Sequence, residues 1–392
     1  MKLKKLLLFL LIFLVGTEIF SLIRNPFIAP SLQSYADRIY HTCETEASHQ
    51  ECYQREVPQL LGKISLQEAF TVTKMIQDQD PSYKYCHILG HQLAEKETAK
   101  DPSKWKDVVR SCPIGVCSNG CQHGALLQRF RSETLSDAQV PEVLPDLQTI
   151  CDYKNGVTLT SFDKTNCYHG LGHLTMYITG GDINRSVIIC DQIFPAPDRS
   201  SMRHLCYEGL FMQLFQPLEP EDEALVKGLA PAKSDLRPFC ERLNSVEQVE
   251  ACWQEGWPLY DAEVKTPQGL VKYCSVPSKP QQFGCYMMLF HVISQFLNFN
   301  EPQIAKFCNQ IPSNMRGQCY ANAASATIES DRTFVPRVLN LCSLAQDATT
   351  ANECYKNLAL NASYNLPPSS AEFTNLCNSL PQPWKTTCLG GN

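Results

Sequence analysis

The chain has 392 residues, of which 44% are hydrophobic and 19% are charged, and its net charge at pH 7 is −6. This composition excludes a disordered chain, because the apolar content is high and the net charge is small. It provides no basic stripe, so nucleic acid is not expected as a partner. The 20 cysteines are many for a reducing cytosol, and their even number allows ten disulfides. We therefore expect an oxidising compartment.

Residues 1–23 have the pattern of a signal peptide or signal anchor. Lys2, Lys4 and Lys5 precede an unbroken apolar run over residues 6–16. This run is short for a bilayer span, although adding residues 19–23 would make a tilted anchor. Because no clear small-residue cleavage site follows the run, cleavage and retention in the membrane both stay open. In either case we expect the remainder to be secreted, periplasmic or held on the extracytoplasmic side of a membrane.

Ten cysteines recur at a nearly fixed interval along the chain. The last four steps are 33, 34, 35 and 34 residues, and a period near 34 is typical of a solenoid of two-helix repeats. The period is similar to that of tetratricopeptide repeats, but the tryptophan, Leu-Gly and tyrosine pattern of that family is absent. The series consists of Cys52, Cys86, Cys121, Cys167, Cys206, Cys252, Cys285, Cys319, Cys354 and Cys388. A second series runs ahead of it, with Cys43, Cys112, Cys151, Cys190, Cys240, Cys274, Cys308, Cys342 and Cys377.

These spacings predict an all-α protein, an α/α superhelical solenoid of about ten two-helix repeats stapled by intra-repeat disulfides. In residues 301–333, for example, we expect a turn over residues 313–317 and a second helix that opens at Cys319. Each disulfide should stabilise the fold by about 3 kcal/mol in the chain-entropy model. The second repeat lacks a leading cysteine, so Cys86 is expected to pair with the leftover Cys117.

The lengths of the repeats suggest three segments after the signal. Residues 24–190 should form the N-terminal helical repeats, and residues 271–392 the regular C-terminal repeats. Residues 191–270 should form central repeats with insertions, because three steps in the middle of the chain lengthen to 46, 39 and 46 residues. Insertions in a solenoid project from one face, which is often the binding face.

Five of the nine histidines fall in the opening turns of three successive second helices. They include two His-x3-His pairs, and residues four apart share one face of a helix, so each pair can chelate one metal ion. Stacked repeats place equivalent helices roughly 8–10 Å apart, across which imidazoles can converge. Two carboxylates extend the same faces. The candidate metal ligands are His87, His91, His123, His169, His173, Glu95 and Glu208.

Imidazole and carboxylate ligands suit a transition metal, namely zinc, copper or iron. Three histidines with an open coordination position would activate water, and two histidines could instead ligate a haem. The same turns are rich in glycine, which indicates either close helix approach or space for something bound. These glycines are Gly90, Gly124, Gly170, Gly172 and Gly209. The spacing predicts where a metal site would lie, and it does not identify a reaction.

Three other interpretations compete with this site. The histidines could form a polar network in the core, without a metal. A Cys3His zinc site could use Cys112, Cys117, Cys121 and His123. Finally, the protein could be a non-catalytic scaffold that binds a protein or peptide on the solenoid surface, in a groove lined by aromatic residues such as Trp253, Trp257 and Tyr260.

Overall fold

The computed structural model describes residues 31–131, 133–152, 158–195, 197–277 and 279–390. The signal peptide or anchor predicted over residues 1–23 lies outside these ranges. Every named secondary-structure element within them is a helix, as the cysteine period predicts. None of the helices in these ranges has both the length and the apolar character that a bilayer crossing requires.

Ten helix pairs form the repeats, and three short helices join some of them. In chain order the α-helices are α1 Leu32–Cys43, α2 His49–Glu56, α3 Leu66–Gln79, α4 His87–Thr98, α5 Trp105–Ser111, α6 Gly120–Phe130, α7 Val140–Leu147, α8 Ser161–Ile178, α9 Ile183–Ile193, α10 Ser200–Phe215, α11 Pro220–Val226, α12 Leu236–Cys240, α13 Val246–Glu255, α14 Asp261–Val264, α15 Pro267–Cys274, α16 Lys279–Phe296, α17 Glu301–Cys308, α18 Ser313–Ser330, α19 Val335–Ser343, α20 Ala348–Leu360, α21 Ala362–Asn365, α22 Ala371–Ser379 and α23 Trp384–Gly390.

All 20 cysteines form disulfides, in the pairs that the spacing predicts. Their Cα–Cα separations run from 4.8 to 5.8 Å, within the usual range for a disulfide. Nine join the two helices of one repeat, whereas Cys86–Cys117 links the second repeat to the third. The pairs are Cys43–Cys52, Cys86–Cys117, Cys112–Cys121, Cys151–Cys167, Cys190–Cys206, Cys240–Cys252, Cys274–Cys285, Cys308–Cys319, Cys342–Cys354 and Cys377–Cys388.

A tyrosine beside the disulfide adds a second link within several repeats. It follows the second cysteine, and its hydroxyl donates a hydrogen bond to the side chain that follows the first cysteine. Because the ring is largely buried, this bond fixes the rotation of the second helix as well as its position. The bonds join Tyr168 to Asp152 (3.2 Å), Tyr207 to Asp191, and Tyr320 to Asn309 (3.1 Å).

The prediction of a turn over residues 313–317 was wrong, because these residues form the first turns of α18. The turn of the chain is made one residue earlier, at Pro312, whose ψ of 139° is extended. Gly317 lies inside the helix, where a Cβ atom would stand 2.7 Å from the side chain of Glu353 on α20. The glycine therefore serves the close approach of two second helices, which its sequence neighbours do not reveal.

The second helices pack side by side in chain order, with the first helices stacked against them. Distant repeats also touch. Arg332 donates to Asp163 at 2.8 Å, and the hydroxyl of Tyr364 donates to Thr165 at 3.1 Å. The superhelix thus closes on itself, and residues of the second helices surround a cavity of about 1030 Å³.

The Arg332–Asp163 ion pair should hold the closed superhelix together. The Asp163 side chain is fully buried and the Arg332 side chain is 13% exposed, so Arg332→Met leaves a buried carboxylate without its counter-ion. We expect a loss of about 3 kcal/mol in the free energy of unfolding, measured by urea denaturation. Arg129→Met, which breaks a local ion pair with Glu133 four residues along the chain, should cost less than about 1 kcal/mol. Equal losses in the two variants would contradict a closing role for Arg332.

Candidate metal centre

Turns of α4, α6 and α8 bring five imidazoles into one buried cluster, with His123 at its centre. His87, His91 and His123 lie near the starts of their helices, as expected. The expectation of an opening turn was wrong for His169 and His173, because α8 already begins at Ser161 and they lie in its middle. The ring of His123 lies 5.2 Å from that of His87 and 5.4 Å from that of His91, measured between centroids. On its other side the centroid distances are 6.0 Å to His169 and 5.7 Å to His173. The structure therefore places all five predicted histidines together, in the order that adjacent repeats impose.

Three of these histidines, His87, His91 and His123, each offer one ligand nitrogen within 4.8 Å of the other two. The Nε2 atoms of His87 and His91, one helical turn apart on α4, are separated by 3.0 Å. Two nitrogens bound tetrahedrally at 2.0–2.1 Å to one metal ion would be about 3.4 Å apart, so a small displacement would accommodate the ion.

Backbone carbonyls hold one ring nitrogen of His87 and one of His123, and so direct the other nitrogen of each ring toward the cluster. Nε2 of His123 donates to the backbone oxygen of Asn166 at 2.8 Å, and its buried Nδ1 finds no hydrogen-bond partner among the described residues. Nδ1 of His87 lies 3.3 Å from the backbone oxygen of Cys117. A carbonyl that accepts one ring N–H fixes the tautomer and directs the other lone pair inward, as around bound metals in proteins.

The second His-x3-His pair is oriented in a similar way from α10. Nδ1 of His173 donates to the side-chain oxygen of Gln213 at 2.7 Å, which leaves its Nε2 as an acceptor. Nε2 of His169 lies 3.2 Å from the sulfur of Met212. The sequence pattern did not single out Gln213 or Met212. Both lie on the side of α10 that faces the His-x3-His pair of α8.

Burial keeps the five imidazoles neutral. Removal from water lowers the pKa of His87 to about 4, with the charge of His173 acting in the same direction. Desolvation is likewise the main cause of the lowered pKa values of His91, His123, His169 and His173. Neutral imidazole is the form that binds a metal, so the lone pairs are available at physiological pH.

The glycines of these turns are explained by close helix approach. At three of them a Cβ atom would collide with the backbone or ring of a histidine on the neighbouring helix, and at Gly172 it would collide with the backbone oxygen of Cys206. The distances from this Cβ would be 2.2 Å at Gly124 to the His91 oxygen, 2.5 Å at Gly170 to the His123 ring, and 1.9 Å at Gly209 to the His169 oxygen. The imidazoles meet because these helices lie closer together than side chains on both would permit.

Glu95 lies beside the cluster, two turns from His87 on α4. Its carboxylate is grouped with His91 and Glu219, with one ligand atom of each within 4.8 Å of the others. Arg131 donates to both Glu95 and Glu219. Burial, reinforced by the charge of Glu219, raises the pKa of Glu95 to about 8. Arg131 and Glu219 come from different segments, so the sequence pattern alone did not connect them to Glu95.

Glu208 is engaged elsewhere. Its Oε1 atom lies 3.2 Å from Nε2 of His204, one turn earlier on α10. It belongs to neither of the two groups of converging ligand atoms found in the described part of the chain. Although burial opposes it, the hydrogen bond and charge of Glu208 raise the pKa of His204 to about 9, so His204 is protonated at neutral pH.

The alternative Cys3His zinc site is not formed, because its three sulfurs are committed to disulfides. Cys112 is bonded to Cys121, and Cys117 to Cys86. The fourth member, His123, instead joins the imidazole cluster. The Cys86–Cys117 disulfide has a different effect on the site, since it holds the entry to α6 beside the first turn of α4, where His87 contacts Cys117.

Replacing one of the cluster glycines should force the helices apart. In Gly124→Ala the new methyl group would meet the backbone of α4, which cannot turn away as a side chain could. We expect a loss of about 2 kcal/mol in the free energy of unfolding, measured by urea denaturation. Gly62→Ala is the control, because nothing lies within 4 Å of a Cβ atom there. No difference between the two variants would contradict the close packing of α4 against α6.

The buried imidazoles should resist protonation in metal-free protein. In an NMR titration of the ring Cε1 protons, we expect His87 to stay neutral from about pH 8 to about pH 5.5, the other four imidazoles to titrate below their ordinary pKa, and His204 to titrate near pH 9. Because the five folded-state pKa values lie below the unfolded value of about 6.5, these groups contribute destabilisation as pH falls below that value. Protonation of the cluster near pH 6.5 would contradict its burial.

Comparison with known proteins gives no assignment for this chain. No protein-family model matches it, and neither a curated protein nor a solved structure is significantly similar to it. The fold described above therefore rests on the helices and disulfides themselves. The candidate metal centre rests on the convergence of its imidazoles.

Proposed function

We propose that this is an exported protein that binds a transition metal through His87, His91 and His123, with His169 and His173 as additional ligands. The observation that carries the proposal is the convergence of three ligand nitrogens within 4.8 Å. The lowered imidazole pKa values and the unpartnered Nδ1 of His123 among the described residues support it.

The donor set suits zinc, copper or iron, as all-imidazole sites do. The sulfur of Met212, 3.2 Å from Nε2 of His169, adds a soft donor that copper accepts more readily than the other two metals do. We do not assign Glu95 as a metal ligand, because its carboxylate accepts a hydrogen bond from Arg131, which also donates to Glu219. We assign Glu95 to the surroundings of the metal, where its carboxylate can influence His91.

The cavity supports a catalytic role for this site. His87, His123, His169 and His173 line its wall, and its volume of about 1030 Å³ is enough for a small molecule beside a metal. A metal held by three histidines with one open position would activate a bound water or polarise a substrate oxygen. The chain's own contribution would be to hold neutral imidazoles in fixed tautomers, through Asn166 and Cys117, and to exclude bulk water.

Export is supported by the ten disulfides, which are consistent with an extracellular or otherwise oxidising compartment. The basic and apolar N-terminal residues supply the expected signal. We propose secretion, periplasmic location or anchoring on the extracytoplasmic side of a membrane.

The alternative function is a scaffold that binds a protein or peptide on the solenoid surface. Two of the aromatic residues expected to line its groove are buried. Trp253 stacks on Tyr273 with ring centroids 5.2 Å apart, and Trp257 lines the internal cavity. A partner would therefore have to reach Trp257 from inside the superhelix, which favours a small molecule.

Metal content tests the proposal directly. Protein secreted by an oxidising host should contain about one transition-metal ion per chain by elemental analysis. His91→Ala and His169→Ala should each lower that content, His91→Ala by more than half, because His91 supplies one of the three converging nitrogens. His41→Ala is the control, since this exposed imidazole pairs with Glu44 at the end of α1 and lies outside the cluster.

Circular dichroism and a free-thiol assay should first show that each variant folds with its disulfides formed. Metal-free wild-type protein, or full stoichiometric metal in both cluster variants, would overturn the proposal and leave the imidazoles as a polar network in the core.

A further inference from the structure

The cavity wall away from the five imidazoles is strongly acidic. Five carboxylates line the cavity, and none of the described residues that line it is a lysine or an arginine. These carboxylates are Glu208, Glu250, Glu255, Asp261 and Glu329. Asp261 is paired with Lys265 at 2.7 Å and Glu329 lies 3.2 Å from His291, so the acidic groups that bear on a ligand are Glu208, Glu250 and Glu255. A low-dielectric cavity lined by such groups concentrates cationic ligands.

Two of the carboxylates, Glu208 and Glu250, flank a single imidazole. His204 is paired with Glu208, and it also feels the charge of Glu250. Glu255 is buried behind them and accepts a hydrogen bond from Gln216 at 2.7 Å. Burial first, and then the charge of Glu208, raises the pKa of Glu255. His204 thus has two carboxyl groups beside it, and one of them, Glu250, forms no ion pair among the described residues.

A second observation points to a ligand in the same place. Gln254 lines the cavity and is only 3% exposed, yet its side-chain oxygen has no hydrogen-bond partner among the described residues. Its side-chain nitrogen lies 3.4 Å from the Oε1 of Glu250, so the amide oxygen is left as an acceptor. A buried acceptor without a donor is destabilising, and a ligand N–H would satisfy it.

The surroundings of these acceptors are apolar. Trp257, Leu205 and Met288 line the cavity in the same region. An indole ring attracts an ammonium group to its face and packs well against an alkyl chain. An inorganic cation is less well matched, because none of these carboxylates belongs to a group of converging ligand atoms in the described part of the chain.

We propose that this part of the cavity binds a small organic cation, a primary ammonium on an apolar body. The ammonium group would lie among Glu208, Glu250 and the side-chain oxygen of Gln254, and the apolar body against Trp257. The site goes beyond the proposed metal centre and does not depend on it, since no imidazole of the five-histidine cluster takes part. If the metal centre is catalytic, the organic cation bound in the same cavity would be its substrate.

Hexylamine, compared with 1-hexanol, tests this inference by isothermal titration calorimetry. The two probes share an alkyl chain and differ in charge. Chelator-treated protein is used, so that the result does not depend on whether the protein binds a metal. We expect hexylamine to bind with a 1:1 stoichiometry and 1-hexanol to bind at least about tenfold more weakly.

Glu250→Gln and Glu208→Gln should each weaken hexylamine binding about tenfold, and Glu241→Gln, at an exposed position, should not change it. Circular dichroism establishes that the variants are folded. Equal affinity for the two probes would overturn the proposal, as would unchanged binding in both cavity variants. Displacement of hexylamine by millimolar magnesium or calcium at constant ionic strength would also overturn it, since the site would then be one for inorganic cations.

Discussion

The disulfides, nine within repeats and Cys86–Cys117 between the second repeat and the third, are the constraint on which the rest of the structure depends. A pair of short helices cannot bury its apolar face alone, and the bond fixes where the second helix starts relative to the first. The tyrosine beside several of these bonds, such as Tyr207 with Asp191, fixes how that helix is rotated. With position and rotation both set, equivalent residues of successive second helices fall next to one another.

The imidazole cluster is a consequence of this registration. His87, His123 and His169 occupy comparable turns of three consecutive second helices, so stacking the repeats brings them together. Disulfides alone would leave these helices too far apart. The glycines between them, such as Gly124 against the backbone of His91, remove the side chains that would hold the helices apart. Burial then keeps the imidazoles neutral, and carbonyls such as that of Asn166 select their tautomers.

Closure of the superhelix turns this row of helices into a site with an interior. The buried pair of Arg332 with Asp163 joins repeats that are far apart in the chain. Closure creates a cavity that has neutral imidazoles on one part of its wall and carboxylates on another. The imidazoles suit a transition metal and the carboxylates suit a cationic group. Both line one cavity that is large enough for a small ligand.

The sequence by itself determined the two-helix repeat and its disulfide pairs, because the number of residues between successive cysteines sets the length of each repeat and can be read along the chain. It also determined that five histidines would share one region, since their spacing follows the same period. Only the tertiary structure decided which histidines converge, that Glu95 is held by Arg131, and that Glu208 pairs with His204. Those partners come from helix rotation and from contacts between segments far apart in the chain. The cavity could not be predicted from the sequence either. It forms because the small rotations from each repeat to the next add up until distant repeats touch.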